Sequence, residues 1–183
     1  MADRYYTDAD DGKDRPCRLL ALPAELRTAI YEYALGTNKE ITITSRLCQP
    51  ALLQTSKQIR HEASGTWYMG NRFRYDARDC DVDLALAFDV RCLALGFRSV
   101  PLTIVVHGRP NWLNLERWCM AIFLNNAPPM SDHVHHTSVL KVVSAATKIA
   151  EQLAADGIPW SHCQAVLAQL RHAVGVWDSR WLE

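Results

Sequence analysis

Three histidines crowd one short stretch, His133, His135 and His136, with Asp132 beside them. Neutral imidazoles and a carboxylate are the side-chain types that hold a divalent metal. The spacing, however, matches no closed metal-site pattern, and no cysteine or histidine pair follows at finger spacing. A solvated loop is therefore the favoured reading. A small metal-binding protein or enzyme using His133, His135 and His136 is the lesser alternative.

Other candidate chemistry is thinner. His61-Glu62 opens like a zinc-protease helix, but Gly65 stands where the second histidine ligand would have to be. Glu62 is instead expected to accept hydrogen bonds from a nearby arginine or backbone N–H. Cys163 follows His162, yet neighbours on a helix point about 100° apart and do not face each other. No G-x-S-x-G, G-x-G-x-x-G or Walker loop occurs, so acyl transfer and phosphate cradling have no sequence support. The expectation is a non-enzymatic chain with no cofactor and no metal.

Charge and composition narrow the partners. Formal net charge is zero, so the basic excess that neutralises phosphates is missing and no nucleic acid is expected. Lys57, Arg60, Arg72, Arg74 and Arg78 do gather near Trp67, Tyr68, Phe73 and Tyr75, but Glu62, Asp76 and Asp79 dilute them. A solvated face with internal ion pairs is the simpler account. No apolar run approaches the roughly 18 residues that span a bilayer, so no membrane is expected. The opening MADRYYTDADDGKDRP is acidic, without the apolar stretch of a signal peptide, and residues 1–16 are expected to be a disordered acidic tail. Six widely spaced cysteines with no C-x-x-C pair suit free, buried thiols in a reducing compartment, cytoplasmic or nuclear.

The elements follow from periodicity. In LLALPAELRTAIYEYAL, residues 19–35, Pro23 suits the first helical position, Glu25 the first turn, and Gly36 a terminating glycine. Leu22, Leu26, Ile30 and Ala34 form one stripe at spacing four. EITIT at 40–44 alternates as a short strand. ALLQTSKQIRHEASGTWY reads as one helix with Leu52, Ser56, Ile59 and Ala63 on a face, and NRFRYD as a strand with Phe73 and Tyr75 inward. A helix over 81–95 follows. SVPLTIVVHG at 99–108 reads as a strand, its Ile104-Val105-Val106 run suggesting a central place in a sheet. Asn111 caps a helix over 111–126. Helices over 137–157 and 161–177 should bury Val139, Val142, Ala146, Ile149 and Leu153, and Val166, Leu170 and Val174. Trp177 and Trp181, four apart, form either a lid folded on the core or an exposed docking edge. Together this predicts a single α+β domain, mainly helical, with a small sheet of three to four strands.

Two stretches jointly resemble a known family. The first is Leu20-x-Leu22-Pro23-x-Glu25-Leu26-Arg27, continuing through Ile30-Tyr31-Glu32-Tyr33-Ala34-Leu35. The second is Leu52-Leu53-Gln54, then Lys57-Gln58-Ile59-Arg60-x-Glu62-Ala63, then Tyr68 and Asn71-Arg72-Phe73. The pair is similar to the large F-box-like family of filamentous fungi. It covers roughly residues 19–76, within an F-box-like helix-strand-helix-strand region over 17–76, and residues 77–183 carry no diagnostic motif. The resemblance implies protein–protein interaction: a helix docked on the adaptor subunit of a cullin-RING ubiquitin ligase, with an unidentified substrate protein held elsewhere. By position, Leu20, Leu22, Pro23, Leu26 and Ile30 would be the contact residues. A standard F-box has no strand between its helices, whereas EITITSRLCQP intervenes here. Two readings follow. Either the leucine stripe docks a partner, or it faces this chain's own core in a stand-alone binding module without a ligase link.

Overall fold

The computed structural model describes residues 17–98, 100–124 and 138–183. The chain order is α1 (Ala24–Leu35), β1 (Ile41–Thr42), α2 (Leu52–Thr55), α3 (Lys57–Gly70), β2 (Phe73–Arg78), α4 (Asp83–Ala94), β3 (Leu102–His107), α5 (Trp112–Phe123), α6 (Ser138–Ala155) and α7 (Trp160–Trp177), then a 3₁₀ turn at Ser179–Trp181. The fold is α+β: mostly helical, with one small sheet. The acidic tail at 1–16 and the histidine loop both lie outside the described residues.

The sheet is three-stranded in the order β1-β2-β3 and parallel throughout, with Ile41 opposite Phe73 and Asp76 opposite Val105. Parallel neighbours need crossovers, which α2 with α3 and then α4 supply. The central strand is therefore β2, and β3 lies at the end of the order, contrary to the expectation from its branched run. Ile104 and Val106 are buried while Val105 between them is only partly so. Branched residues favour any pleated surface, so a run of them does not report burial on both faces. On β2 the alternation is clean: Phe73, Tyr75 and Ala77 point into the core, and Arg74, Asp76 and Arg78 point away.

Several expected elements shift, each for a local reason. The single helix over 51–68 is two. Ser56 leaves helical geometry at φ −151°, ψ 160°, and its side chain accepts from the Ile59 N–H, so it caps α3 and breaks the chain after α2. Pro23 precedes the first helical residue of α1, in extended geometry. Gly36 is also extended, not left-handed: its N–H donates to the Glu32 carbonyl at 2.9 Å. A Cβ there would lie 2.6 Å from that carbonyl oxygen, so close approach is what calls for glycine. Gly157 does turn left-handed, at φ +70°, and ends α6 with the Gly157 and Ile158 amides bonded back to Ala154 and Leu153. Asn111 caps α5 as expected, accepting from the Asn114 N–H.

Two helices turn a slightly different face inward. In α6 the line of deepest burial is Leu140, Val143, Ala146, Thr147 and Ala150, with Val139, Val142, Ile149 and Leu153 flanking it. In α7, Cys163 and Leu167 are buried, Leu170 and Val174 flank them, and Val166 faces solvent. The terminal tryptophans part company because α7 stops at Trp177 and the chain tightens into the 3₁₀ turn. Trp177 is 90% exposed, and Trp181 is 2% exposed, edge-on to Trp112 at 6.0 Å. Arg171 fastens this return by donating to the Trp181 and Leu182 carbonyls at 3.0 and 2.8 Å.

Buried apolar residues fall into two clusters. The larger joins the inner sheet face to α4, α5, α6, α7 and Trp181. The smaller holds Tyr31, Leu35, Leu53, Ile59 and Ala63, linking α1 to α2 and α3. Half-buried Trp67 packs against both. No helix among the described residues is long and apolar enough to cross a membrane.

Candidate docking face on the first helix

α1 has two faces, and a polar network decides which one turns inward. Arg27 grips Glu62 of α3 with a two-pronged contact: Nε donates to Oε2 and Nη2 to Oε1, both at 2.8 Å. Tyr31 Oη donates to Glu62 Oε2 at 3.0 Å, and Gln58 Nε2 to Oε1 at 2.9 Å. Glu62 thus accepts four hydrogen bonds. They hold its carboxyl at a pKa of about 2, Arg27 contributing most, then Gln58 and Tyr31, against a smaller opposing push from burial. The Tyr31 hydroxyl is pushed up, first by burial and then by the neighbouring carboxylate. Glu62 therefore has the expected arginine partner.

The ends of α1 are tied as well. Arg27 Nη1 donates to the Leu22 carbonyl at 2.7 Å, satisfying a group just before the helix. At the other end Asn71, almost fully buried, donates through Nδ2 to the Leu35 and Trp67 carbonyls, both at 3.0 Å, and accepts from the Thr37 N–H at 2.8 Å. One amide closes the C-terminal ends of two helices. Its role was invisible to periodicity; the signal was a lone asparagine between a helix and an apolar strand.

With Arg27, Tyr31 and Leu35 committed inward, the stripe of Leu22, Leu26, Ile30 and Ala34 is not core. At 3.6 residues per turn, its Leu26 end lies about 140° round the helix from Tyr31. Leu26 is 53% exposed and Ile30 40%, and Tyr33, on the same face, is 93% exposed. Pro23 and Ala34 are exposed and Leu22 is half-buried. Leu20 departs from the expected contact set: it packs, with Leu19, against the smaller cluster beneath α1. The outward face thus runs from Leu22 and Pro23 through Leu26 and Ile30 to Tyr33. It is an apolar strip on a helix whose orientation is fixed from behind.

The other candidate groups are not brought together. His162 is exposed while Cys163 is buried, so they form no dyad. Burial pushes the thiols of Cys80, Cys119 and Cys163 up, and that of Cys92 up to about 11, away from the reactive thiolate. Cys17 and Cys48 are exposed, which the expectation of buried thiols missed. Among the described residues no group of three or more His, Cys, Asp and Glu side chains could hold a metal ion. The basic cluster disperses: Arg60 donates to the Leu53 carbonyl at 2.8 Å, and Arg74 pairs with Asp76 at 2.9 Å. Its aromatic neighbours Tyr68, Phe73 and Tyr75 are core residues.

No family model, curated protein or solved structure matches this chain.

Proposed function

We propose that this chain is a non-enzymatic, F-box-like interaction protein, acting in the cytoplasm or nucleus, that docks a protein partner through the outer face of α1. The observation that carries the proposal is the exposed strip of Leu26, Ile30 and Tyr33 on a helix pinned from its opposite side by the Arg27–Glu62–Tyr31 network. Apolar residues at helical spacing, held rigid and left in solvent, are the usual form of a helix that enters a partner's groove. The family resemblance names the partner: the adaptor subunit of a cullin-RING ubiquitin ligase, with a substrate protein bound elsewhere on the chain. The test is association of the purified chain with purified adaptor, followed by calorimetry. Wild type should bind. A Leu26→Asp, Ile30→Asp double variant with an unchanged melting temperature should not. Undiminished binding by the double variant would dismiss α1 as the docking element.

A second reading keeps the interaction role and drops the ligase. The strand β1 stands between α1 and α2, where a standard F-box runs from helix to helix. A folded wild-type chain that binds no adaptor would favour this stand-alone module. The metal or enzyme alternative at His133, His135 and His136 is tested by metal analysis; a metal-free sample that shows no affinity for added zinc would remove it.

A further inference from the structure

A cleft of about 250 Å³ opens where the chain leaves β1, away from the outer face of α1. Ile43 and Leu47 form one wall, Trp67 and Tyr68 of α3 the floor, and Phe88 and Arg91 of α4 the other wall. The aromatic floor is rigid. Tyr68 and Phe88 lie 6.2 Å apart between ring centres, and Phe88 is locked 4.8 Å from buried Phe73. The volume is that of one ring or branched chain, at the small end of ligand pockets.

Two polar groups in this cleft have a donor to offer. Tyr68 Oη accepts from Gln49 Nε2 at 2.9 Å, which uses a lone pair and leaves its proton to donate. Among the described residues no acceptor takes that proton, although Tyr68 is almost fully buried. Arg91, an exposed residue, carries the one charge in the lining and forms no salt bridge among the described residues, so its guanidinium is free to meet a ligand. A donor hydroxyl and a solvent-facing guanidinium, set beside an apolar floor, can together hold an anionic acceptor. We infer that this cleft is a binding site for a small amphiphilic carboxylate: a ring-sized apolar body bearing one anionic group. The body lies on Tyr68 and Phe88, and the carboxylate is held by Arg91 and the Tyr68 hydroxyl. This assignment stands independently of α1 docking.

Cys48 gives the test a built-in reporter, because it is exposed and lines the cleft, whereas exposed Cys17 does not line it. The full chain is alkylated with iodoacetamide, and each cysteine is followed by mass spectrometry while 3-phenylpropionate is titrated. Saturable slowing at Cys48 with no change at Cys17 is the expected result. The uncharged 3-phenylpropionamide should need about tenfold higher concentration, as should 3-phenylpropionate acting on Arg91→Gln. Tyr68→Phe, which keeps the ring, should weaken binding by a smaller factor, and Ala87→Leu should abolish it by filling the cleft. Acetyl-Ala-Ala-Phe with a free C-terminus separates two sources of the same chemistry: tighter binding than the free acid assigns a peptide end, weaker binding a small organic acid. Absence of saturable protection by any probe overturns the inference. So does equal protection by acid and amide, or an Arg91→Gln variant that binds as wild type does.

Discussion

The two buried clusters of this molecule are held by different forces. The sheet-side core is largely apolar and rich in aromatics: Phe73, Leu115, Trp118 and Trp181 are buried with no charged residue among them. The α1 side buries few apolar residues and adds a charged network centred on Glu62. Apolar area is non-directional, so the first cluster mainly sets how much stability there is. Hydrogen bonds are directional, so the second mainly sets which way a helix faces. Where a helix must present one apolar strip and hide another, a polar clamp distinguishes them better than hydrophobicity does.

The largest effect should come from the sheet-side core. Trp181→Ala removes a 2%-exposed ring packed on Trp112 and should cost about 3–5 kcal/mol, read as a lowered urea midpoint for the whole chain. Leu53→Ala, in the α1 cluster, should cost about 2–4 kcal/mol because Leu53 is fully buried. Its effect should be local: α1 amides should lose hydrogen-exchange protection while β2 amides keep theirs. If β2 loses protection equally, the two clusters are one cooperative unit and the contrast fails.

Acid sharpens the same contrast. The Glu62 carboxyl is lowered from 4.5 to about 2, so the folded state holds its proton less tightly than the unfolded chain does. Stability from this group is fully present above about pH 4.5 and is lost as pH falls toward 2. The α1 amides should therefore lose protection through that window ahead of β2. The Glu62→Gln variant should show the weaker α1 protection already at neutral pH and no further loss from this group on acidification. Protection of α1 that is flat from pH 5 to pH 2 in wild type would remove Glu62 as the clamp.

Much of this was legible in the sequence, and the failures concern direction more than element type. Element types came through because strand and helix periods differ and the caps at Asn111 and Gly157 are local. Directions came through less well. In α7, Val166, Leu167, Leu170 and Val174 are all apolar, so periodicity alone does not choose between adjacent stripes. In α1 the inward line, Arg27, Tyr31 and Leu35, opens with an arginine. Apolar spacing therefore marked Leu22, Leu26 and Ile30 and left open whether they face the core or a partner; the structure exposes Leu26 and Ile30 and leaves Leu22 half-buried. Ser56 reads as a harmless polar gap in a continuous face until its side chain is seen capping α3. At Ser56 and along α1 a side-chain hydrogen bond, and not apolar burial, made the decision.

The smallest expected effect is the most discriminating. Leu26 and Ile30 fit either a core stripe or a docking stripe by sequence and are half-exposed in the fold. An exposed side chain loses little on truncation, so Leu26→Ser and Ile30→Ser should each change stability by less than about 0.5 kcal/mol. The same substitutions at Leu53 or Ile59, buried in the cluster beneath α1, should cost several-fold more. Measured together by urea denaturation, these four variants weigh one face of α1 against the residues it rests on. A cost above about 2 kcal/mol at Leu26 or Ile30 would mean that the strip is buried in solution. That result would leave α1 no apolar face for a partner, whatever its motif resembles.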